Sequence, residues 1–352
     1  MKRRLTAAAL LLALALGCLS ACAGADGGLT RYQAQFLDLF DTATTIIGYA
    51  ESEEQFTQTA QYLHDQLEEY HQLYDIYEEY DGLHNLKTVN DAAGVAPVEV
   101  DARILDLLTF SREQYEQTGG RVNVALGSVL SIWHTYREAG MDDPERAQLP
   151  PREELEQAAQ HTDLTQVVLD PAAGTVYLPD PEMSLDVGAV AKGYAVEQVC
   201  RQAEEAGYDH LLLSVGGNVR AIGARPDGSA WQVGIQDPED ESGALWCTAA
   251  VEGPLSVVTS GVYQRYYTVD GVRYHHIIDP DTLMPGDEFL SVSIICRDSG
   301  LADALSTAVF NMSAQEGLNF VEQLDGVEAL WILSDGSEQQ SSGFDQYRQA
   351  AE

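Results

Sequence analysis

The sequence predicts an α+β fold, in which short strands form mixed sheets and long amphipathic helices pack against them. Short apolar runs bounded by glycine and aspartate fill the second half of the chain, and they outnumber the helical segments between them. A doubly wound sheet is therefore disfavoured, because it would need a helical crossover between each pair of successive parallel strands. With 352 residues, 45% hydrophobic and 21% charged, the composition is that of a globular protein of one large or two modest domains.

The first 21 residues are typical of a bacterial lipoprotein signal peptide. Three basic residues precede the apolar run Leu5–Leu16, which is shorter than a membrane span. The run leads to Leu-Ser-Ala-Cys at 19–22, which resembles a lipobox, so we expect cleavage before Cys22 and lipidation of its thiol. A plain secretory signal is the alternative, and Cys18 is a poorer lipidation candidate. The predicted location is the extracytoplasmic face of the cell membrane.

The N-terminal half is predicted to begin with a tether at 22–35, before a catalytic region at 36–334. Thr and Ile enrichment predicts a strand at 36–49, and apolar residues at helical spacing predict a long helix at 52–79. Asp101 is expected to cap a helix that ends at Gln117, before paired glycines. The remaining predictions for this half are a helix at 125–136, a surface loop at 138–153 and a hairpin at 167–178.

The C-terminal half alternates predicted strands and helices. Helices are predicted at 192–205, 301–312 and after 314, and the last strand ends near 333. Further strands are predicted at 210–215, 219–224, 230–236, 246–251, 256–259, 263–269, 272–278 and 290–296. We expect a single catalytic unit of two subdomains, roughly 36–165 and 166–334, followed by a polar tail at 335–352 that frays.

The charge balance is strongly acidic, with 56 Asp and Glu against 19 Lys and Arg and a net charge of -37. This charge argues against a nucleic-acid partner, because phosphates would be repelled. It makes a bound divalent cation useful if the substrate is a polyphosphate. Cys200, Cys247 and Cys296 are widely spaced and odd in number, so we interpret them as buried small apolar residues rather than a disulfide framework or zinc site.

Two glycine-containing segments are candidates for close contact between the main chain and a ligand. Asp186 to Tyr194 places small residues at a predicted strand-to-helix junction, where the helix N-terminus favours an anion and Lys192 adds positive charge. Ser214 to Asn218 ends a buried strand in two glycines and an amide. Each segment has an ordinary alternative, which is helix packing for the first and a hairpin for the second.

Three later segments carry polar groups suited to catalysis or metal binding. One is Thr259 to Tyr263, and another is His275 to Pro280, where adjacent histidines on a strand must face opposite sides and His275 is the expected spectator. In the third, Asp303 and Thr307 are four residues apart and share a helix face. A carboxylate and a hydroxyl suit Mg²⁺, although a solvated or capping Asp is the alternative.

Together and in this order, these segments resemble the FAD:protein FMN transferase family, also called the ApbE family, over residues 36–333. The resemblance implies an ApbE-like fold, related to the T-fold, and Mg²⁺ held by Asp303, Thr307 and the carbonyl of Ala189. It implies FAD contacts from residues spread along the chain: Phe40, Tyr80, Arg121, Val122, Asn123, Asp186, Lys192, His276 and Ile278.

The sequence departs from the family pattern at several positions. Asn123 stands where Asp is usual, and Phe40 where Met is usual. The common Asp-Pro-Arg-Thr-Gly reads Asp-Pro-Asp-Thr-Leu and ends at Leu283. The three metal-binding positions are intact, so these departures concern the flavin pocket. Asn in place of Asp keeps an acceptor and adds a donor.

The implied activity is Mg²⁺-dependent transfer of the FMN half of FAD to a Thr or Ser hydroxyl of an exported acceptor flavoprotein, such as part of a membrane redox complex, with release of AMP. His276 is our candidate for the base, with Asp303 as a second candidate. Two alternatives stay open at the level of sequence. One is a Mg²⁺-dependent FAD pyrophosphatase that forms FMN and AMP, and the other is a non-enzymatic FAD-binding lipoprotein.

Overall fold

The computed structural model describes residues 28–240, 242–263 and 265–349. The predicted signal peptide, Cys22 and the first part of the tether lie outside these residues. The helices are α1 (Glu53–Tyr74), α2 (Leu86–Asp91), α3 (Ala102–Gln117), α4 (Gly127–Asp142), α5 (Arg152–Ala158), α6 (Ala191–Glu205), α7 (Ser299–Phe310) and α8 (Ala314–Val321). The strands are β1 (Thr30–Leu39), β2 (Thr42–Ala50), β3 (Val98–Glu99), β4 (Val168–Asp170), β5 (Thr175–Tyr177), β6 (Leu211–Val215), β7 (Asn218–Ile222), β8 (Trp231–Gln236), β9 (Leu245–Val251), β10 (Ser256–Gly261), β11 (Tyr266–Val269), β12 (Val272–His275), β13 (Phe289–Cys296), β14 (Glu328–Leu333), β15 (Glu338–Gln340) and β16 (Arg348–Gln349).

An eight-stranded antiparallel sheet with the order β1-β2-β6-β7-β10-β13-β14-β15 forms the centre of the fold. Successive side chains of its strands face opposite sides, so that Leu211 and Leu213 join one core and Leu212 joins another. The helices α1, α6 and α7 cover the first side. The smaller sheet β16-β9-β8 covers the second side. The result is the mixed α+β arrangement that the sequence predicts.

Main-chain hydrogen bonds join the two predicted subdomains. Strand β2 pairs with β6, and β3 pairs with β5, so that each pair links residues on both sides of position 165. The helices and the hairpin predicted at 101–117, 192–205 and 167–178 are confirmed as α3, α6 and β4–β5. The three cysteines are free and buried, as predicted. None of the helices in the described part of the chain has the length and apolarity that a bilayer crossing requires.

The single strand predicted at 36–49 is wrong, because this region is a hairpin. Strand β1 starts at Thr30, so residues 30–35 belong to the sheet and not to a tether. A two-residue turn joins β1 to β2, and Phe40 and Asp41 have φ angles of 53° and 51°. Such type I′ turns usually contain Asn-Gly, so Phe-Asp gave no turn signal in the sequence.

The fraying tail predicted after residue 334 is also wrong for the residues that the structure describes. Strand β15 pairs with β14, and β16 pairs with β9. Between them Phe344 is fully buried in the core beneath the smaller sheet. One aromatic side chain and strand pairing therefore fix a segment whose composition is otherwise polar.

Two predicted boundaries shift for local reasons. Helix α1 ends at Tyr74 instead of 79, because the Asp75 carboxylate accepts hydrogen bonds from the Tyr77 and Glu78 amides at 2.6 and 3.1 Å and turns the chain. The loop predicted at 138–153 is shorter, because α4 continues to Asp142, just before a proline, and α5 begins at Arg152.

Candidate functional site

A cavity of about 610 Å³ lies where the β1–β2 turn, the end of α1, the start of α4 and the facing ends of α6 and α7 meet. All twelve residues predicted for the site line this cavity: Phe40, Tyr80, Arg121, Val122, Asn123, Asp186, Ala189, Lys192, His276, Ile278, Asp303 and Thr307. The fold thus brings together residues from both halves of the chain. The individual roles of these residues stay predictions.

Three residues that carry hard oxygen donors line the cavity. Asp303 and Thr307 lie one turn apart on α7, and Ala189 lies in the turn that precedes α6. Asp303 is 4% exposed, and burial raises the pKa of its carboxyl, although Lys192 and the hydrogen bond from Gly193 oppose this. A carboxylate, a hydroxyl and a carbonyl are the ligands that Mg²⁺ prefers, and a cation would offset the desolvation of Asp303. The residues therefore fit a magnesium ion.

Helices α6 and α7 approach each other closely beside these donors. The Gly193 amide donates to Asp303 Oδ2 at 2.8 Å. A Cβ atom at position 193 would lie 2.3 Å from the Ser299 carbonyl oxygen and 2.4 Å from Asp303 Cβ. Only glycine therefore allows this contact, which holds one oxygen of the Asp303 carboxylate in place.

The turn that contains Ala189 is held by two side chains. Asp186 Oδ1 accepts a hydrogen bond from the Gly188 amide at 2.8 Å, and Lys192 Nζ donates to the Gly188 carbonyl at 3.3 Å. Just before this turn, the Asn90 amide makes both a donated and an accepted hydrogen bond to the main chain of Leu185, at 2.9 and 2.8 Å. Asn90 thus fixes the approach to Asp186.

The cavity is lined by six carboxylates, those of Asp41, Asp75, Glu78, Glu138, Asp186 and Asp303, and also by basic side chains, which are rare in this chain. Four of its 19 Lys and Arg residues line the wall: Arg121, Arg137, Lys192 and Arg265. Among the described residues, no carboxylate oxygen lies within 4 Å of Arg137, Lys192 or Arg265. Burial and the nearby Arg265 lower the pKa of Arg137. Unpaired cations of this kind favour an anionic ligand such as a diphosphate.

The imidazole of His276 has a defined tautomer. Its Nδ1 lies 3.3 Å from the carbonyl oxygen of Arg265, and a carbonyl can only accept, so Nδ1 carries the proton. The lone pair on Nε2 is therefore free. Burial, and then Arg265, lower the pKa of His276 to about 3, so the ring is neutral near pH 7. His275 is the spectator we expected: it does not line the cavity, and its two ring nitrogens bond to the Gly286 carbonyl and the Ile277 amide.

Two further polar side chains present acceptors to the cavity. Ser306 donates to the Asp303 carbonyl at 2.8 Å, so Ser260, which is 2.8 Å from Ser306, must donate to it. Ser260 thereby keeps only lone pairs for a ligand. Asn311 is 8% exposed and its Oδ1 has no hydrogen-bond partner among the described residues. A buried unpaired oxygen costs about 1–3 kcal/mol, which a ligand or water donor would recover.

The structure gives physical reasons for two departures from the family pattern. Asn123 donates through Nδ2 to the Thr162 carbonyl at 2.8 Å, which a carboxylate could not do, and accepts from the Ala125 amide at 2.9 Å. Leu283 has a φ of 59°, a conformation that glycine adopts more easily, but its buried side chain packs in the core around Trp133. Both residues therefore make contacts that stabilise the wall of the cavity.

Arg121 differs from the other three cations in the cavity. Its Nη1 lies 3.2 Å from Asp279 Oδ1 and 2.7 Å from Asp281 Oδ2. Two carboxylates therefore already balance its charge, and the ion pairs join the segment after α3 to the turn at 279–283. We infer that Arg121 shapes the wall of the cavity more than it attracts an anion.

Sequence reasoning missed several residues that line the cavity: His71, Tyr77, His134, Arg137, Ser260, Arg265 and Asn311. His71 and Tyr77 belong to a stretch whose helical spacing suggested core packing, and Ser260 was noted only as part of a segment. Arg137 and Arg265 could have been found from the sequence. The chain has only 19 Lys and Arg residues, so each of them is a candidate contact for an anionic ligand. Asn311 gave no signal.

Comparison with known proteins gives a consistent set of matches. A family model described as the ApbE family matches residues 40–331. An FAD:protein FMN transferase of Treponema pallidum is 36% identical over 273 residues, which are 74% of this chain and 73% of the relative. One from Klebsiella pneumoniae is 31% identical over 245 residues, which are 69% of this chain and 73% of the relative.

Solved structures share the fold. The crystal structure of the ApbE protein from Thermotoga maritima has a TM-score of 0.79 and 28% identity, and the match covers 91% of this chain and 100% of that chain. The flavin transferase ApbE from Vibrio cholerae has a TM-score of 0.74 and 24% identity, and covers 91% and 99%. At these scores the predicted fold class is confirmed.

The low pKa of His276 predicts a pH dependence of stability. The unfolded chain binds a proton at this histidine near pH ~6.5, whereas the folded protein, with a pKa of about 3, does not. The stabilising contribution is therefore complete above pH ~6.5 and is lost as the pH falls below it. We expect the Tm, followed by circular dichroism at pH ~7 and ~5, to fall more for the wild type than for His276→Asn. Equal falls in Tm would contradict the low pKa of His276. His275 is present in both proteins, so its titration contributes equally to both falls.

Proposed function

Because the chain belongs to the ApbE family, we propose that it is a flavinyltransferase that moves the FMN half of FAD to a hydroxyl of a protein acceptor and releases AMP. The observation that carries the proposal is the meeting of three hard oxygen donors and three unpaired cations in one cavity. Relatives named FAD:protein FMN transferase support the same activity. The function that the resemblance implies is thus supported by the site as well as by the family.

The diphosphate of FAD is the part of the substrate that the charges favour. Lys192, Arg137 and Arg265 offer N–H donors and positive charge without a competing carboxylate within 4 Å among the described residues. Ser260 and Asn311 add acceptors, which suit hydroxyl or N–H donors of the ribityl and ring portions of FAD. Binding of the dianionic diphosphate would also raise the pKa of His276, since an opposite charge favours the imidazolium.

Asp303, Thr307 and the Ala189 carbonyl are the residues that would hold Mg²⁺. When bound, the ion would neutralise the diphosphate and stabilise charge on the AMP leaving group. The protein supplies the geometry: the Gly193 amide holds one oxygen of Asp303, and the Asp186 turn holds the Ala189 carbonyl.

The chemical step balances with the side chains that line the cavity. An acceptor Thr or Ser oxygen forms a bond to the FMN phosphorus, and the bond from that phosphorus to the bridging oxygen breaks, so that AMP leaves. The acceptor hydroxyl loses its proton, and the free Nε2 of His276 is our candidate to take it. Nδ1–H, held by the Arg265 carbonyl, keeps the ring in the required tautomer.

A transfer assay tests this function. Purified protein is incubated with FAD, Mg²⁺ and an exported flavoprotein that bears an FMN-attachment threonine. We expect covalent yellow fluorescence on the acceptor in a denaturing gel, with one AMP formed per FMN attached. EDTA and Asp303→Ala should each abolish labelling, because they remove the cation or its buried ligand, whereas Glu205→Gln, on the exposed side of α6, should not.

Two results would contradict the transferase assignment. Release of FMN and AMP without labelling, under conditions where the acceptor is competent, would identify an FAD pyrophosphatase that uses the same site with water as the nucleophile. FAD binding without AMP formation would identify a flavin-binding protein. Full activity of Asp303→Ala would show that the carboxylate is not the ligand of an essential metal.

We also propose that the protein is anchored to the outer face of the cell membrane through a lipid on Cys22. The supporting observation is the signal sequence that ends in Leu-Ser-Ala-Cys. Strand β1 begins at Thr30, so only a short segment would separate the lipid from the folded protein. We expect incorporation of labelled palmitate and sedimentation with membranes for the wild type, and neither for Cys22→Ser. Membrane sedimentation of Cys22→Ser at wild-type levels would contradict the anchor.

A further inference from the structure

A buried ion-pair network lies outside the cavity, between α6, β7 and the start of α7. Glu197 and Arg220 are each 2% exposed, and Glu197 Oε2 lies 3.1 Å from Arg220 Nε. Glu197 Oε1 accepts from Arg201 at 2.7 Å. Burial alone would raise the pKa of Glu197, but Arg220 and the hydrogen bonds it receives outweigh burial and lower it. The carboxylate is therefore ionised. Neither Glu197 nor Arg220 lines the cavity.

Glu197 also contacts the helix that carries the proposed metal ligands. Its Oε2 accepts a hydrogen bond at 2.9 Å from the amide of Ser299, the first residue of α7. That amide is one of the N-terminal N–H groups that have no partner within a helix, and a negative charge is favourable at this end. The contact therefore fixes where α7 begins relative to α6.

This contact is one of two matched bonds between the helices. Gly193 and Glu197 are four residues apart on α6, and Ser299 and Asp303 are four apart on α7. Glu197 receives the Ser299 amide, and one turn away Asp303 receives the Gly193 amide at 2.8 Å. Because one turn separates the bonds along each helix, roughly 6 Å at 1.5 Å per residue, a shift at Ser299 would reach Asp303 almost undiminished.

We propose that Glu197 is a positioning residue for Asp303, and that its bond to the start of α7 sets the affinity of the site for its divalent cation. The inference rests on the proposed function, in which Asp303 is a metal ligand. Glu197 does not line the cavity in which the cation and FAD would bind. Groups that orient a metal ligand in this way commonly change metal affinity by about 10–100-fold when they are altered.

The chain offers a matched control in Glu204. This residue lies on the same helix and pairs with the same arginine, with Oε1 3.2 Å from Arg220 Nη1, but it makes no hydrogen bond to α7. Glu197→Asp and Glu204→Asp both keep the charge and draw the carboxylate back by one methylene. Only Glu197→Asp should lengthen or break the hydrogen bond from the Ser299 amide.

The experiment measures Mn²⁺ binding to the full-length protein by electron paramagnetic resonance, without FAD. We expect the Mn²⁺ Kd to rise by about tenfold or more in Glu197→Asp and by less than about twofold in Glu204→Asp. FAD affinity without metal, followed by flavin fluorescence, should be unchanged in both variants. In turnover, the Mg²⁺ concentration for half-maximal rate should rise in Glu197→Asp, while the rate at saturating Mg²⁺ stays close to that of the wild type.

A second variant keeps the inference testable if Glu197→Asp does not fold. Glu197→Gln keeps the reach to Ser299 and loses the charge, so a positioning role predicts a Kd within about threefold of the wild type. A rise of about tenfold or more in Glu197→Gln would show that the negative charge, and not the contact with α7, matters. An unchanged Kd in a folded Glu197→Asp protein would also overturn the proposal.

The test separates this inference from the proposed function. If Asp303→Ala binds Mn²⁺ as well as the wild type does, the metal site itself is misassigned, and the proposed function fails with it. If Asp303→Ala loses Mn²⁺ but Glu197→Asp does not, only the positioning role is wrong.

Discussion

The close approach of α6 and α7 at Gly193 is the constraint on which the site depends. It lets a main-chain amide reach the Asp303 carboxylate at 2.8 Å, and any side chain at this position would push the helices apart. Asp303 is expensive to bury as an isolated charge, and burial raises the pKa of its carboxyl. A cation beside it offsets that cost. Packing between two helices thus fixes the carboxylate that we propose as a metal ligand.

Electrostatics extends this site toward the substrate. The chain carries a net charge of -37, yet three cationic side chains line one cavity, Arg137, Lys192 and Arg265, and none of them has a carboxylate oxygen within 4 Å among the described residues. These three groups would offer a diphosphate direct N–H contacts in a protein that otherwise repels anions. The neutral ring of His276, with its Nδ1 held by a carbonyl, places a lone pair in the same cavity. The proposed metal ligands, phosphate contacts and base thus line one cavity.

Much of the architecture was readable from the sequence, because local signals and the fold agree there. The helices at 101–117 and 192–205 have clear caps, periodicity or stops, and the strands of the second half are short apolar runs between glycines. The predictions failed where one side chain or a long-range pairing decides the structure. Phe40 and Asp41 form a turn with positive φ angles, which a residue such as Phe rarely adopts. Phe344 holds the polar C-terminal segment in place because its side chain is buried in the core. Asn311, which lines the cavity, and Glu197, which lies outside it, make contacts with distant segments that no local pattern encodes.

The central claim is that Asp303, Thr307 and the Ala189 carbonyl form the metal site of a flavinyltransferase. The most direct measurement is an anomalous-difference map from crystals grown with Mn²⁺ and FAD. The account predicts a strong peak between these three groups and the FAD diphosphate. A peak at His64, Asp65 and Glu68, whose ligand atoms lie within 4.8 Å of one another on α1, with none at Asp303, would contradict it.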